Sequence, residues 1–470
     1  MSKYTSDSKE KLFILLILLL ALILRLLELT KHDFWFDEAF TYQMAKLSIK
    51  NLLRATLADN HPPLYYLLIH QMLKISKNEV FLRLPSTIAS IFTTLMVYLI
   101  AKNQFTKKTG YLAAMLFAVS PLTVYMATEA RSHSLAILFS SLMVFLFLKF
   151  IKEKSSTKLF AFVFVSIISL YTQYYIGLLF VPFTYLVYKF DKKKLKRWLS
   201  TMLICLGAIA PWIIITLKTD HNGCYCPNSL ISLPQTLIWP AIAGFDSINI
   251  RSYLNLNPQI LLIFAITAII AIIAFIRGVA NSSLIAKIYL VPLILLSIFG
   301  VFSNIFSPKA FSIFSPIFII LAAKGASSKF QKYLPLILFS LFSLVSIIRI
   351  INPFFRGEDL KSVYKYLDTQ PTSPIYHTSL LSYYSADFYL TQTTENQMIT
   401  TNPLTKSTTQ FIGGEKKSLN SLPQTFWLVD TNKWAPSPER NNAISFMNAN
   451  YQKYQSKNMD LITVTLFKRK

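Results

Sequence analysis

Apolar runs, most of them close to the thickness of a bilayer, recur through the first three quarters of this chain and limit what it can fold into. They fall at about residues 11–29, 80–101, 109–127, 132–151, 158–175, 176–190, 198–217, 258–277, 286–306, 309–323 and 333–351. A helix of about 20 residues crosses the hydrocarbon core. Such a helix also satisfies its own backbone polar groups, which nothing else in lipid would do. The pattern therefore predicts a polytopic α-helical membrane protein with about eleven transmembrane helices. The runs at 176–190 and 309–323 are the shortest. A chain of 470 residues with 53% hydrophobic content agrees with this reading.

The net charge of +25 could suggest a nucleic-acid partner, but its placement excludes one. Nucleic-acid binding needs a contiguous basic face or stripe. Here the cations cluster in short loops after every second apolar run. Lys102, Lys107 and Lys108 follow the second; Lys149, Lys152, Lys154 and Lys158 the fourth. Lys192, Lys193, Lys194, Lys196 and Arg197 follow the sixth. Arg277 and Lys287 follow the eighth, and Lys324, Lys329 and Lys332 the tenth. The positive-inside rule then puts the N-terminus in the cytoplasm and the C-terminus outside, in a multi-pass protein of the inner or plasma membrane. The stretch Leu12–Leu24 ends at Arg25, Leu26, Leu27 and Glu28 rather than at small residues. It reads as an uncleaved first span, with Arg25 and Glu28 at pairing distance along the helix.

The expected organisation is a transmembrane domain over residues 1–351 and a small soluble extracytoplasmic α/β domain over 352–470. Two long outer loops interrupt the first, at 30–79 and 218–257. The former has an apolar stretch, Pro63–Lys74, too short to span and suited to an interfacial helix. The latter contains a Trp239-Pro240 break, Cys224 and Cys226. Cysteines two apart make a poor disulfide, and a lone pair is thin evidence for a metal. Cys205 lies in an apolar run as a small core residue. In the tail, helical patterns at Glu358–Leu367 and Glu439–Met447 alternate with strand-like runs at Pro374–Ser379, Phe426–Val429 and Leu461–Phe467.

Polar residues at membrane depth are functional hypotheses by default. Asp37 and Glu38 lie within the aromatic run Phe34-Trp35-Phe36-Asp37-Glu38-Ala39-Phe40, just past the first span. They are either the wet edge of an interfacial helix or a general base poised beside apolar surface. Neighbouring side chains point to different sides, so one of the two faces a given substrate. Glu129-Ala130-Arg131-Ser132-His133 joins the third and fourth spans on the same outer side. It is either a self-satisfied hairpin or a site where the Arg131 fork meets phosphate. His61 precedes Pro62 and Pro63, which stiffen the chain before Tyr65 and Tyr66. Lys309 and Arg83 stand at the starts of spans, where snorkelling competes with contact to an anionic group. Taken together these groups can hold a lipid phosphate and deprotonate a hydroxyl. With phosphate as the leaving group, cations that stabilise developing charge suffice.

The ordered set resembles a known family. Asp37-Glu38, His61-Pro62-Pro63-Leu64-Tyr65-Tyr66, Arg83-Leu84-Pro85-Ser86 and Tyr125 to Arg131 are similar, in order, to the bacterial protein O-mannosyltransferases and lipid A aminoarabinose transferases. These are GT-C glycosyltransferases that use polyprenyl-phosphate sugars. The likeness runs from about residue 12 to 330, and the tail resembles the family's extracytoplasmic domain. It implies a hexosyl- or pentosyltransferase that moves a sugar from a polyprenyl-phosphate donor to a hydroxyl acceptor at the bilayer's outer face, with inversion. Asp37 would be the catalytic base and Glu38 its neighbour. Glu129 and Arg131 would line the donor site, with His61, Tyr65, Arg83 and Lys309 contacting substrate. The chain departs from many relatives at Gln173, where they have histidine, and at His133, where they have an aromatic. No metal ligand is assigned on this basis, although a divalent metal is a possible cofactor. The rival reading is a polyprenyl-lipid or solute transporter. Transporters usually carry mid-membrane charges and repeated halves, neither of which stands out here.

Overall fold

The computed structural model describes residues 2–152, 156–220, 229–242, 256–302, 307–327, 332–355, 357–401, 404–431, 438–459 and 461–470. Cys224, Cys226 and much of the 218–257 segment lie outside the described residues. The helices in chain order are α1 (Ser2–Leu29), α2 (Phe36–Ala45), α3 (Ile49–Leu57), α4 (Leu64–Leu73) and α5 (Glu79–Gln104). Then come α6 (Lys107–Val119), α7 (Pro121–Met126), α8 (His133–Lys152), α9 (Ser156–Leu170), α10 (Phe180–Phe190), α11 (Leu195–Thr216) and α12 (Ser229–Ile242). They continue as α13 (Pro258–Ala280), α14 (Ser283–Phe302), α15 (Pro308–Phe311), α16 (Ser315–Ala326) and α17 (Leu334–Ile351).

All eleven apolar runs are helical over most of their described length. Among the described residues, eight helices are long and apolar enough to cross a membrane. The other three runs are shorter or broken: α6 stops before Pro121, α9 has 15 residues, and a 3-10 turn precedes α10. The Trp239-Pro240 step, expected as a break, lies inside the last turns of α12. The chain divides into two compact units: Met1–Leu29, Arg83–Ile215 and Cys224–Asn352 form one, and Thr30–Leu82, Thr216–Gly223 and Pro353–Lys470 the other. The first hydrophilic segment, placed by sequence with the membrane domain, thus groups with the tail, because its apolar faces pack there.

The membrane unit is organised around α16. The span Lys309–Ala326, which ends in this helix, is 83% buried, while α1 shows lipid its exposed Leu12, Leu15, Leu16 and Leu19. Glycines let α13 and α16 touch backbone to backbone: a Cβ on Gly278 would lie 1.8 Å from the Leu321 carbonyl oxygen. On the other side, a Cβ on Gly325 would lie 1.9 Å from that of Ala274. Only small residues permit this approach, which replaces the missing hydrophobic drive between helices in lipid.

The break between α6 and α7 shows how this unit handles freed backbone groups. Pro121 cannot donate to the preceding turn, so the carbonyls at the end of α6 lose their helical partners. Arg25 of α1 donates to Ala118 O, the Thr123 hydroxyl reaches Phe117 O at 2.6 Å, and Ser346 of α17 reaches Val119 O at 2.7 Å. Arg25, expected to pair with Glu28, instead binds the Ala118 and Phe117 carbonyls, Thr123 and Ser90. Buried carbonyls without water are the more demanding partners.

In the second unit, α18 (Leu360–Asp368), α19 (Leu380–Tyr389), α20 (Lys406–Ile412) and α21 (Pro438–Asn450) surround a five-stranded sheet. Its strands are β1 (Ile375–His377), β2 (Asn396–Met398), β3 (Thr425–Thr431), β4 (Tyr451–Met459) and β5 (Ile462–Arg469), in the order β2-β1-β3-β5-β4. β1 runs parallel to β2 and β3, while β5 is antiparallel to β3 and β4. Two cores flank it. Ile375, Trp427, Val429 and Val464 face α18 and α19, and Tyr376, Phe426, Leu428 and Phe467 face α21. The expected tail elements are present; α19, α20, β2 and β4 are additional. In β4 the residues between Tyr451 and Met459 are exposed, so no apolar alternation announced the strand. The stretch Pro63–Lys74 is helical as α4.

Candidate functional site

The eight candidate residues divide between the units. Arg83, Glu129, Arg131 and Lys309 belong to the first, and Asp37, Glu38, His61 and Tyr65 to the second.

In the first unit, hydroxyl groups fasten the turn between α7 and α8. Thr128 donates to Tyr125 O at 2.9 Å and Ser134 to Met126 O at 2.8 Å. From α5, Ser86 donates to Arg131 O at 3.1 Å and Thr87 to Ala127 O at 2.9 Å. Glu129 and Arg131 are thereby held buried on irregular backbone, and His133 is buried at the first position of α8. Lys309, on the single turn α15, places Nζ 3.5 Å from Glu129 Oε1. The Tyr125 ring lies between two cations, 5.2 Å from the Arg349 guanidinium and 6.0 Å from Lys309 Nζ. Lys309 thus faces the buried Glu129 carboxylate, Lys309 and Arg349 share the Tyr125 ring, and the buried Arg131 follows Glu129 by two residues, so that these segments carry more positive than negative charge. Such a surplus of positive charge in a poorly solvated place suits an anion. Arg83 is fully buried and donates to Leu29 O at 3.0 Å, closing the end of α1. Gln173 caps the following 3-10 turn by accepting from Tyr174 N at 3.1 Å.

Arg349 was missed in the sequence. It sits in the last turn of the last apolar run, where snorkelling is the ordinary explanation. Its burial and its ring contact are the signals that single it out.

In the second unit, Asp37 and Glu38 occupy the first turn of α2. Trp35 at the N-cap offers no side-chain cap, so the carboxylates supply the negative charge that a helix N-terminus favours. Glu38 is fully buried and Asp37 partly exposed. Of the two, Asp37 can meet a solvent-borne substrate. The Thr41 hydroxyl donates to the Asp37 carbonyl at 2.9 Å. Downstream, Asp59 accepts from the Tyr66 hydroxyl at 2.6 Å and lies 3.4 Å from His61 Nδ1. Asp59 thus stands beside the histidine, a neighbour no motif suggested. Tyr65 is buried at the start of α4. Ahead of α2, burial pushes the Asp33 carboxyl up to about 6, with Glu79 and Asp359 adding repulsion and the Lys361 amide opposing it. Among the described residues, no three His, Cys, Asp or Glu side chains group closely enough to hold a metal ion.

A bundle of long apolar helices with a small mixed-sheet domain is the architecture shared with the solved structures below. The family model for dolichyl-phosphate-mannose-protein mannosyltransferase matches residues 60–215. Two structures of ArnT from Cupriavidus metallidurans share the fold at TM-score 0.63 and 12% identity. The apo state covers 98% of this chain and 98% of that one, and the undecaprenyl phosphate-bound state 96% and 97%. The Archaeoglobus fulgidus oligosaccharyltransferase in complex with Zn and sulfate is similar at TM-score 0.50 and 12% identity, covering 95% of this chain and 72% of that one. No curated protein matches the sequence at a significant level. The chain has the multi-pass GT-C fold, and its resemblance to the mannosyltransferase family model and to ArnT is found in both comparisons.

Proposed function

We propose that this protein transfers a sugar from a polyprenyl-phosphate carrier to a hydroxyl acceptor at the outer face of the cell membrane, inverting the anomeric carbon. The observation that carries the reading is the Lys309–Glu129 pair beside the Tyr125 ring, which Arg349 also approaches, with Arg131 buried on the same turn as Glu129. It lies in a chain whose residues 60–215 match a family named for a lipid-phosphate sugar donor. The fold similarity to an undecaprenyl phosphate-bound ArnT supports the same donor class.

In this mechanism Asp37 takes the acceptor's hydroxyl proton as the acceptor oxygen attacks the anomeric carbon. The bond from that carbon to the phosphate oxygen breaks, and the carrier leaves as a lipid phosphate. Arg131 and Lys309 stabilise the charge developing on that phosphate; a phosphate leaving group needs no strong acid. Glu129 keeps Lys309 oriented. His61, Tyr65 and Arg83 complete the substrate contacts. Glu38, buried behind Asp37, supports α2 rather than exchanging protons.

The test is release of lipid phosphate from a panel of polyprenyl-phosphate sugars by the purified full-length protein, with and without hydroxyl acceptors. Asp37→Asn should lower turnover by roughly 10²–10⁴-fold, the range of general-base contributions, with undecaprenyl phosphate binding retained. Near-normal turnover of that variant would remove Asp37 from the mechanism. Acceptor-independent carrier movement across vesicles without sugar transfer would favour a transporter.

A further inference from the structure

We infer that α19 is the positioning element of this reaction. It grips α2 at both ends and so sets where the Asp37 carboxylate stands, with Tyr389 and Asp387 as the positioning residues. This rests on the reading of Asp37 as the base.

At the start of α2, the Phe34 backbone N–H donates to the Tyr389 hydroxyl at 2.7 Å. That hydroxyl in turn donates to the Glu79 carboxylate. The Phe34 ring stacks on Phe388 with centroids 4.4 Å apart. At the far end, Gln43 Nε2 donates to Tyr384 O at 3.2 Å and to Asp387 Oδ2 at 3.0 Å. Lys46 pairs with the same carboxylate. Between these anchors the Tyr384 ring lies 6.3 Å from Phe36 and 6.2 Å from Phe40. Asp37 and Glu38 fall between the two anchors. Behind the first anchor, Asp33 accepts from Lys361 N at 2.7 Å, and Lys361 Nζ lies 2.8 Å from Glu79 Oε2. Five residues of one ten-residue helix, counting Tyr384, Asp387, Phe388 and Tyr389 with Leu380 in the shared core, are committed to α2 and its neighbours.

Apolar packing alone would not require this. Hydrophobic faces tolerate small slips and substitutions of similar volume. A hydrogen bond to one backbone N–H next to the helix start fixes both axial position and rotation. A general base needs its acceptor proton within about 2.6–3.2 Å, and a displacement of about 1 Å can cost about 10²-fold in rate. The anchors therefore act on the step that Asp37 performs, not only on folding.

The test uses the full-length protein with Tyr389→Phe, Asp387→Asn and the conservative Asp387→Glu, beside Asp37→Asn. Turnover is measured with the polyprenyl-phosphate sugar that supports wild-type activity, and hydrogen exchange is followed over residues 34–45. Tyr389→Phe and Asp387→Asn should each lower kcat about tenfold or more. Donor KM should stay within about twofold, since binding shared by ground and transition states is untouched. Exchange over 34–45 should rise while that of β3 and β5 stays unchanged, and Asp387→Glu should recover part of the loss. Faster exchange over 34–45 with unchanged kcat would overturn the inference, as would a loss shared by KM, β3 and β5. If Asp37→Asn itself keeps normal turnover, the base assignment fails instead, whatever the exchange shows.

Discussion

The two units bury polar groups in different ways, and the contrast separates scaffolding charges from working ones. In the membrane unit, Arg25, Arg83, Thr123 and Ser346 donate to carbonyls at helix ends. In the second unit, carboxylates share this work with carbonyls: Thr378 donates to Asp430 at 2.8 Å, Arg440 to the same carboxylate at 2.7 Å, and Tyr66 to Asp59 at 2.6 Å, while Tyr364 donates to Ser382 O. Lipid offers no water to a freed carbonyl, so a membrane helix break must recruit side chains. An arginine at membrane depth is therefore not a site merely by being there. Lys309 and Arg349 are distinguished by the side chains they face, the Glu129 carboxylate and the Tyr125 ring.

The largest effect expected from this comparison is at the glycine contact of the membrane unit. Gly278→Leu should abolish recovery of monodisperse protein from detergent, because even its Cβ would overlap the Leu321 carbonyl. Normal yield and a sharp elution peak would show that α13 and α16 have room to part. The next effect separates the two kinds of cation. Lys309→Met should lower turnover per folded molecule by roughly 10²-fold, in the range of a lost charge-stabilising donor, with little change in Tm. Arg25→Met should do the reverse, lowering Tm and yield and sparing the turnover of what folds. If both variants lose turnover at unchanged Tm, the distinction collapses.

The smallest effect is a pH dependence in the second unit. The Asp33 carboxyl titrates near 6 in the folded protein instead of its ordinary 3.8. The folded state thus holds this proton more tightly than the unfolded chain. The group favours folding at low pH, and that contribution is lost as pH rises from about 3.8 through about 6. Asp33→Asn should flatten the fall in thermal stability over this window. An unaltered profile would mean that Asp33 ionises as freely as in the unfolded chain.

Much of the fold was legible because the bilayer simplifies the code. Apolar length alone marked the helices, and the shift to short alternating patterns after Asn352 marked a second kind of domain. The site was legible only in its residue types. Asp37, Glu129, Arg131 and Lys309 stand out as polar groups beside apolar runs, but Asp59 and Arg349 look ordinary until burial and partners are seen. Arg25 differs in the other direction: sequence spacing offers it a charged partner, while the structure supplies carbonyls freed at a helix end.

By itself, then, the sequence determined that this chain lies in a membrane and which short motifs carry charge there. Hydrophobic length and charge placement are local properties, readable one segment at a time. Tertiary structure decided that the first hydrophilic segment packs with the tail, that α19 holds α2, and that Lys309 meets Glu129. Those outcomes depend on pairings between residues up to 355 positions apart, as with Phe34 and Tyr389. No local pattern encodes which orphaned group a distant side chain will satisfy.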